Sequence, residues 1–212
     1  MNTISPIRPT YQPSLTIKGF SSLRILSTLC LATSLIVCAQ AAPLQAAPLQ
    51  TPPAQEGRTL IVSPQALPAA DGRPRLFLGG SIDMGNAPDW QAEMTQALSD
   101  MDVVILNPRR PDWNPDWRPE ADEPEFRRQV EWELAALEAS DVIVLYFAPG
   151  TLSPISLLEM GLHARSGKVI ALAPDGFWRK GNVDITAEVY GIQLVSSMED
   201  MLAAVRARLA AN

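Results

Sequence analysis

The chain has 212 residues, a formal charge of −6 and two cysteines. An acidic balance excludes a surface that tracks phosphates, so nucleic-acid polymers are not expected partners. Both cysteines, Cys30 and Cys38, lie before residue 40 and His163 is the only histidine, so the rest of the chain has no disulfide, cysteine nucleophile or zinc ligand set.

Residues 1–24 carry Arg8, Lys18 and Arg24 and no acid, and an uncharged run, ILSTLCLATSLIVCAQAA, follows and contains Ala39-Gln40-Ala41. A basic start, an apolar middle and a small-residue end define a secretory signal over residues 1–41 and direct the protein to the periplasm or out of the cell. Left uncleaved, the same stretch is a membrane anchor, which would be the chain's one tie to a membrane. Loss of the three basic residues takes the formal charge from −6 to −9. Residues 42–74 are rich in Pro, Ala and Gln and include the repeated AAPLQ; they read as a disordered spacer.

Residues 75–212 form the folded domain, and strand and helix signals alternate along it. RLFLG (75–79) is an apolar run stopped by glycine. Residues 89–99 space Trp90, Met94, Ala97 and Leu98 at helical intervals. DVVILNP (102–108) is a second strand. EFRRQVEWELAALEAS (125–140) is a helix with Phe126, Val130, Leu134 and Leu137 on its apolar face. DVIVLYF (141–147), apolar throughout, is the central strand. SPISLLEMG begins the next helix, with Ser153 as cap and Pro154 at the first helical position. KVIALAP (168–174), a loop, a short strand near 192–195 and a helix to about Leu209 complete the chain. The pattern predicts an α/β, three-layer Rossmann-like or flavodoxin-like domain with a five-stranded parallel sheet.

Such a fold binds ligands beyond the carboxyl ends of its strands, where the strand order switches. Four loops fall there: 79–86, 107–118, 148–156 and 174–184. Gly79-Gly80-Ser81 lets a sugar or phosphate approach the backbone, or serves only as a tight turn. Glu159 follows the central strand within two helical turns, and Ser156, Glu159 and His163 make a polar stripe that is either solvated or aimed at the site. PDWNPDW, with Arg109 and Arg110 before it, is either a packed turn or a lid that stacks on a base and pairs with an anion.

In order along the domain, LFLGGSIDMG, QVEWELAALEASDVIVLYF and SPISLLEMGLHARSGKVIAL resemble the nucleoside 2-deoxyribosyltransferase family and its relatives, the 2′-deoxynucleoside 5′-monophosphate N-glycosidases. The resemblance spans residues 75–196 and is strongest to a branch that also carries NPRR, DW and FWRKGNVDI. It implies that Glu159 is the nucleophile, attacking the anomeric carbon of a deoxyribosyl group. Glu133, eight residues before Asp141, takes the position of a second active-site carboxyl. Gly80, Ser81 and Ser153 would contact the sugar or phosphate, and Ser153 matches the monophosphate glycosidases. Asp83, Arg109, Ser156 and Asn182 would complete the pocket, with Asn182 serving a neighbouring subunit of a homo-oligomer. One departure is Phe77, where the family has a tyrosine that orients the nucleophile.

The implied function is cleavage or transfer at the N-glycosidic bond of a small-molecule nucleoside or nucleotide, which needs no metal or cofactor. A glycohydrolase of nicotinamide nucleotides is the second enzyme reading. A nucleoside-binding module without turnover is the third, and Phe77 favours it.

Overall fold

A computed structural model of the chain describes residues 57–82 and 87–211, all within one unit, Gln50–Asn212. The signal expected at 1–41, part of the spacer, and Asp83 lie outside the described residues. Among the described residues no helix is long and apolar enough to cross a membrane.

The sheet has six parallel strands rather than the expected five, in the order β1-β3-β2-β4-β5-β6. They are β1 (Arg58–Val62), β2 (Arg75–Gly80), β3 (Val103–Asn107), β4 (Val142–Tyr146), β5 (Val169–Leu172) and β6 (Gln193–Val195). The extra strand, β1, comes from the stretch read as spacer. RTLIV is short and only half-buried, but it pairs in full with β3, from Arg58 opposite Val103 to Val62 opposite Asn107. As an edge strand covered on one side only, it lacks the long apolar run that marked β4.

Strand residues alternate between two cores. Phe77, Val104, Leu106, Ile143, Leu145 and Ala171 face one helical layer. Leu76, Leu78, Ile105, Val142, Val144 and Ile170 face the other. The first layer is α2 (Pro124–Ala139), α3 (Pro154–His163) and α4 (Lys180–Tyr190); the second is α1 (Trp90–Ala97) and α5 (Met198–Leu209). Each fully buried aliphatic side chain contributes about 1.5–3 kcal/mol, so the sheet's two faces are the main source of stability.

Two helices differ from expectation. The sequence pattern left 180–190 as loop, yet α4 forms there. KGNVDITAEVY is poor in strong helix formers, and only Val183 and Ala187, one turn apart, are buried. On α2 the buried residues are Gln129, Trp132, Ala136 and Leu137. The stripe Phe126, Val130, Leu134 instead borders a cleft, and Leu134 is 45% exposed.

The order β3-β2-β4 puts the switch point between β2 and β4, because the chain steps outward from β2 to β3 and then crosses back. The connections after β2, β3 and β4 therefore converge at one end of the sheet.

Candidate active site

At the end of β2, Gly80 has φ +144°, and an added Cβ would lie 2.3 Å from the carbonyl oxygen of Tyr146 on the neighbouring strand. Only glycine fits so close to β4. Gly79 makes a second close approach. A Cβ there would meet the Phe77 ring and Leu145 at 2.8 Å and Glu159 Oε2 at 3.2 Å. The bare backbone at Gly79 is thus what admits the Glu159 carboxyl to the sheet.

Ser81 follows and is 1% exposed. Its hydroxyl accepts from the Ala148 amide at 2.8 Å and lies 2.8 Å from Thr151 Oγ1 and 2.6 Å from Ser153 Oγ. This hydroxyl cluster ties β2 to the loop before α3. It also accounts for Ser153, which does not cap α3 as expected. Ser153 sits in the left-handed region at φ 43°, and its side chain makes no cap bond, since its oxygen is used on Ser81 and Thr151.

Helix α3 reverses the ordinary sense of an amphipathic helix. Its polar stripe, Ser156, Glu159 and His163, is buried at 4%, 6% and 7% exposure, while Leu152, Ile155, Leu158 and Leu162 are more than half exposed. The Glu159 carboxyl forms no hydrogen bond among the described residues. Burial pushes its pKa up to about 8, with a further push from the charge of Glu133.

Glu133 reaches the same cleft from α2. Burial raises its pKa as well, while a hydrogen bond donated by the Gln129 amide, 2.9 Å to Oε1, pulls it back. Two buried carboxyls facing one cleft cannot readily both ionise, so near neutrality the pair holds a proton between them. The cleft encloses about 280 Å³, and apart from Glu133, Glu159 and Gln129 its walls are apolar: Trp113, Phe126, Val130, Leu134, Ile155 and Leu158 among them. It adjoins a second hollow of about 500 Å³ under the 107–118 loop, lined by Ile82, Arg109, Arg110 and Pro115, with Trp113 and Ile155 common to both.

The loop's arginines are occupied by the protein. Arg110 is 6% exposed and donates to both oxygens of Asp112 at 2.8 Å, holding that carboxyl down at about 2. It also stacks over Trp117, which Trp113 meets edge-on. Arg109 donates to the carbonyls of Ala87 and Pro88, bracing the turn before α1. Neither bonds to Glu159.

Of the residues singled out from sequence, Glu159 and Glu133 meet in one cleft, Ser156 lies one turn before Glu159 on the same buried stripe, and Gly80, Ser81 and Ser153 form the adjacent knot. Arg109 lines the neighbouring hollow. Asn182 does not join them. It lines a separate hollow between α3 and α4 with Arg179 and Thr186. Sequence reasoning passed over Gly79 as a contact of the nucleophile candidate, and it passed over Gln129 altogether. Gln129 falls three residues after Phe126 and three before Trp132, so the only signal was a polar residue on a face with these two aromatics. Among the described residues no three His, Cys, Asp or Glu side chains converge as a metal site would need.

The domain is thus a flavodoxin-ordered α/β sheet with a carboxyl pair at its switch point. A family model described as nucleoside 2-deoxyribosyltransferase like matches residues 73–177, so that region is similar to this family. No curated protein matches it. Among solved structures, a conserved protein from Enterococcus faecalis V583 is similar at 18% identity and TM-score 0.49, over 64% of this chain and 99% of that one.

Proposed function

We propose that the protein cleaves or transfers at the N-glycosidic bond of a nucleoside or nucleotide, with Glu159 as nucleophile and Glu133 as the acid that serves the departing base. The observation that carries this reading is the Glu159 carboxyl, buried, unbonded and facing a second carboxyl in an open cleft. A buried carboxyl without a donor adds nothing to the fold when ionised, and its oxygens stay free to meet a developing oxocarbenium ion. At rest the pair's proton favours Glu159, and the working form is the other arrangement, reached by proton transfer within the pair, with Glu159 ionised to capture the sugar and Glu133 protonated for the leaving nitrogen. Phe77 in place of a tyrosine fits this arrangement, since its ring edge packs by Gly79 and leaves Glu159 held by burial alone.

A homo-oligomer and an exported location belong to the same proposal. The exposed Ile155, Leu158 and Leu162 offer an apolar face beside the cleft, and a second copy docked on it would close the cleft's open side.

The test is mass spectrometry of the purified protein incubated with 2′-deoxynucleosides, their monophosphates and nicotinamide nucleotides. Free base should appear, should vanish with Glu159→Gln, and should fall about 10³-fold with Glu133→Gln. Ligand binding by thermal shift without base release over hours would replace this reading with that of a binding module.

A further inference from the structure

The Gln129 side chain is 5% exposed and has three partners. Its nitrogen lies 2.9 Å from the Pro108 carbonyl and 2.9 Å from Glu133 Oε1, and its oxygen accepts from the Ser63 hydroxyl at 2.5 Å. The direction of this amide is chemically fixed. A proline carbonyl can only accept, so the atom facing it must be the NH2 group, whose second hydrogen then points at Glu133. Ser63 is itself 2% exposed, and its own amide donates to the Asn107 carbonyl at 3.0 Å. It stands at the end of β1, outside the region that the family model matches. A second bond, from the Trp132 indole to the Gln65 carbonyl at 2.7 Å, ties the same turn to α2.

We propose that Gln129 is the positioning residue of the Glu133 carboxyl, with Pro108 setting the direction of its amide and Ser63, at the end of the N-terminal strand, anchoring the amide oxygen. The amide hydrogen occupies Oε1 in either protonation state, which leaves Oε2 as the oxygen that carries the proton. When the bond between the anomeric carbon and the base breaks, its electron pair stays on the base nitrogen, and that nitrogen takes the Oε2 proton. Glu133 is left as a carboxylate, and Gln129 donates to that form. The charged group facing Glu133 from the opposing helix is Glu159, on α3; on α2 the neighbour is Gln129. This inference rests on the proposed role of Glu133.

The test uses the full chain and the variants Gln129→Met and Ser63→Ala, read in two ways. The first is the pH dependence of base release. Gln129→Met should lower kcat about tenfold or more with KM within about twofold, and should move the pH profile upward by about 1 unit, since a donor to the ionised carboxyl is gone. Ser63→Ala should shift the profile in the same direction by less. The second is the carboxyl 13C titration of Glu133, which needs no turnover and should rise in both variants. Unchanged profiles and an unchanged titration would overturn the proposal while leaving Glu133 its role. Wild type without base release would instead remove the underlying reaction, and the titration alone would then decide the positioning claim. Should Gln129→Met not fold, Ser63→Ala carries the test, because it leaves the amide in place and removes only the donor that anchors its oxygen.

Discussion

Glu159 is a carboxyl whose ionised form the fold resists. Its folded pKa of about 8 lies above an unfolded value near the ordinary one of 4.5. The folded protein therefore binds the proton more tightly than the unfolded chain. The stability this contributes is complete below about pH 4.5 and is lost as pH rises toward 8. Glu159→Gln should melt higher than wild type at pH 8–9, by on the order of 3 kcal/mol, with the gap closing by pH 4. Thermal melts across that range would show it, and a pH-independent gap would mean the carboxyl is not buried as described. A group that costs stability and has no structural partner is what a functional residue looks like at this scale. Its type and spacing were legible in the sequence, as were those of Glu133. The burial was not. Periodicity identifies a stripe on a helix without saying which way it turns, and α3 turns its polar stripe inward and its leucines out.

Elements were legible where a single physical rule dominates. β2, β3, β4 and β5 announce themselves as apolar runs because both sheet faces are covered. Helices α1 and α5 carry their own caps, Asp89 and Ser197, each accepting an amide hydrogen bond. Where tertiary context decides, the sequence was silent: α4 has weak intrinsic preference and is held by two buried side chains, and β1 is defined by its partner rather than its composition. β2 and β4 approach closely at Gly80. Gly80→Ala would drive a methyl into Tyr146's backbone and should cost about 2–4 kcal/mol, measurable by urea denaturation. Because Ser81 follows directly, the same change should loosen the knot with Thr151 and Ser153 and lower base release beyond what the lost stability explains. A loss of activity that merely tracks the unfolded fraction would argue against that coupling.

For the molecule as a whole, the functional domain begins before residue 75. A fragment starting at Arg75 would forfeit the β1–β3 ladder, the Ser63–Gln129 bond and the Trp132–Gln65 bond together. It should melt on the order of 10 °C below a fragment starting at Gln50 and release base more slowly at temperatures where both are folded. Equal melting points would show that β1 is dispensable. Sheet order adds a consequence in time. Among the described strands β1 is the first to be synthesised, yet its sheet neighbour is β3, which follows β2 in the chain. Its partner strand emerges only after β2, and Ser63 can meet Gln129 only once α2 has followed. The hydrogen-bond chain that ends at Glu133 thus joins the strand made first, among those described, to a helix made well after it.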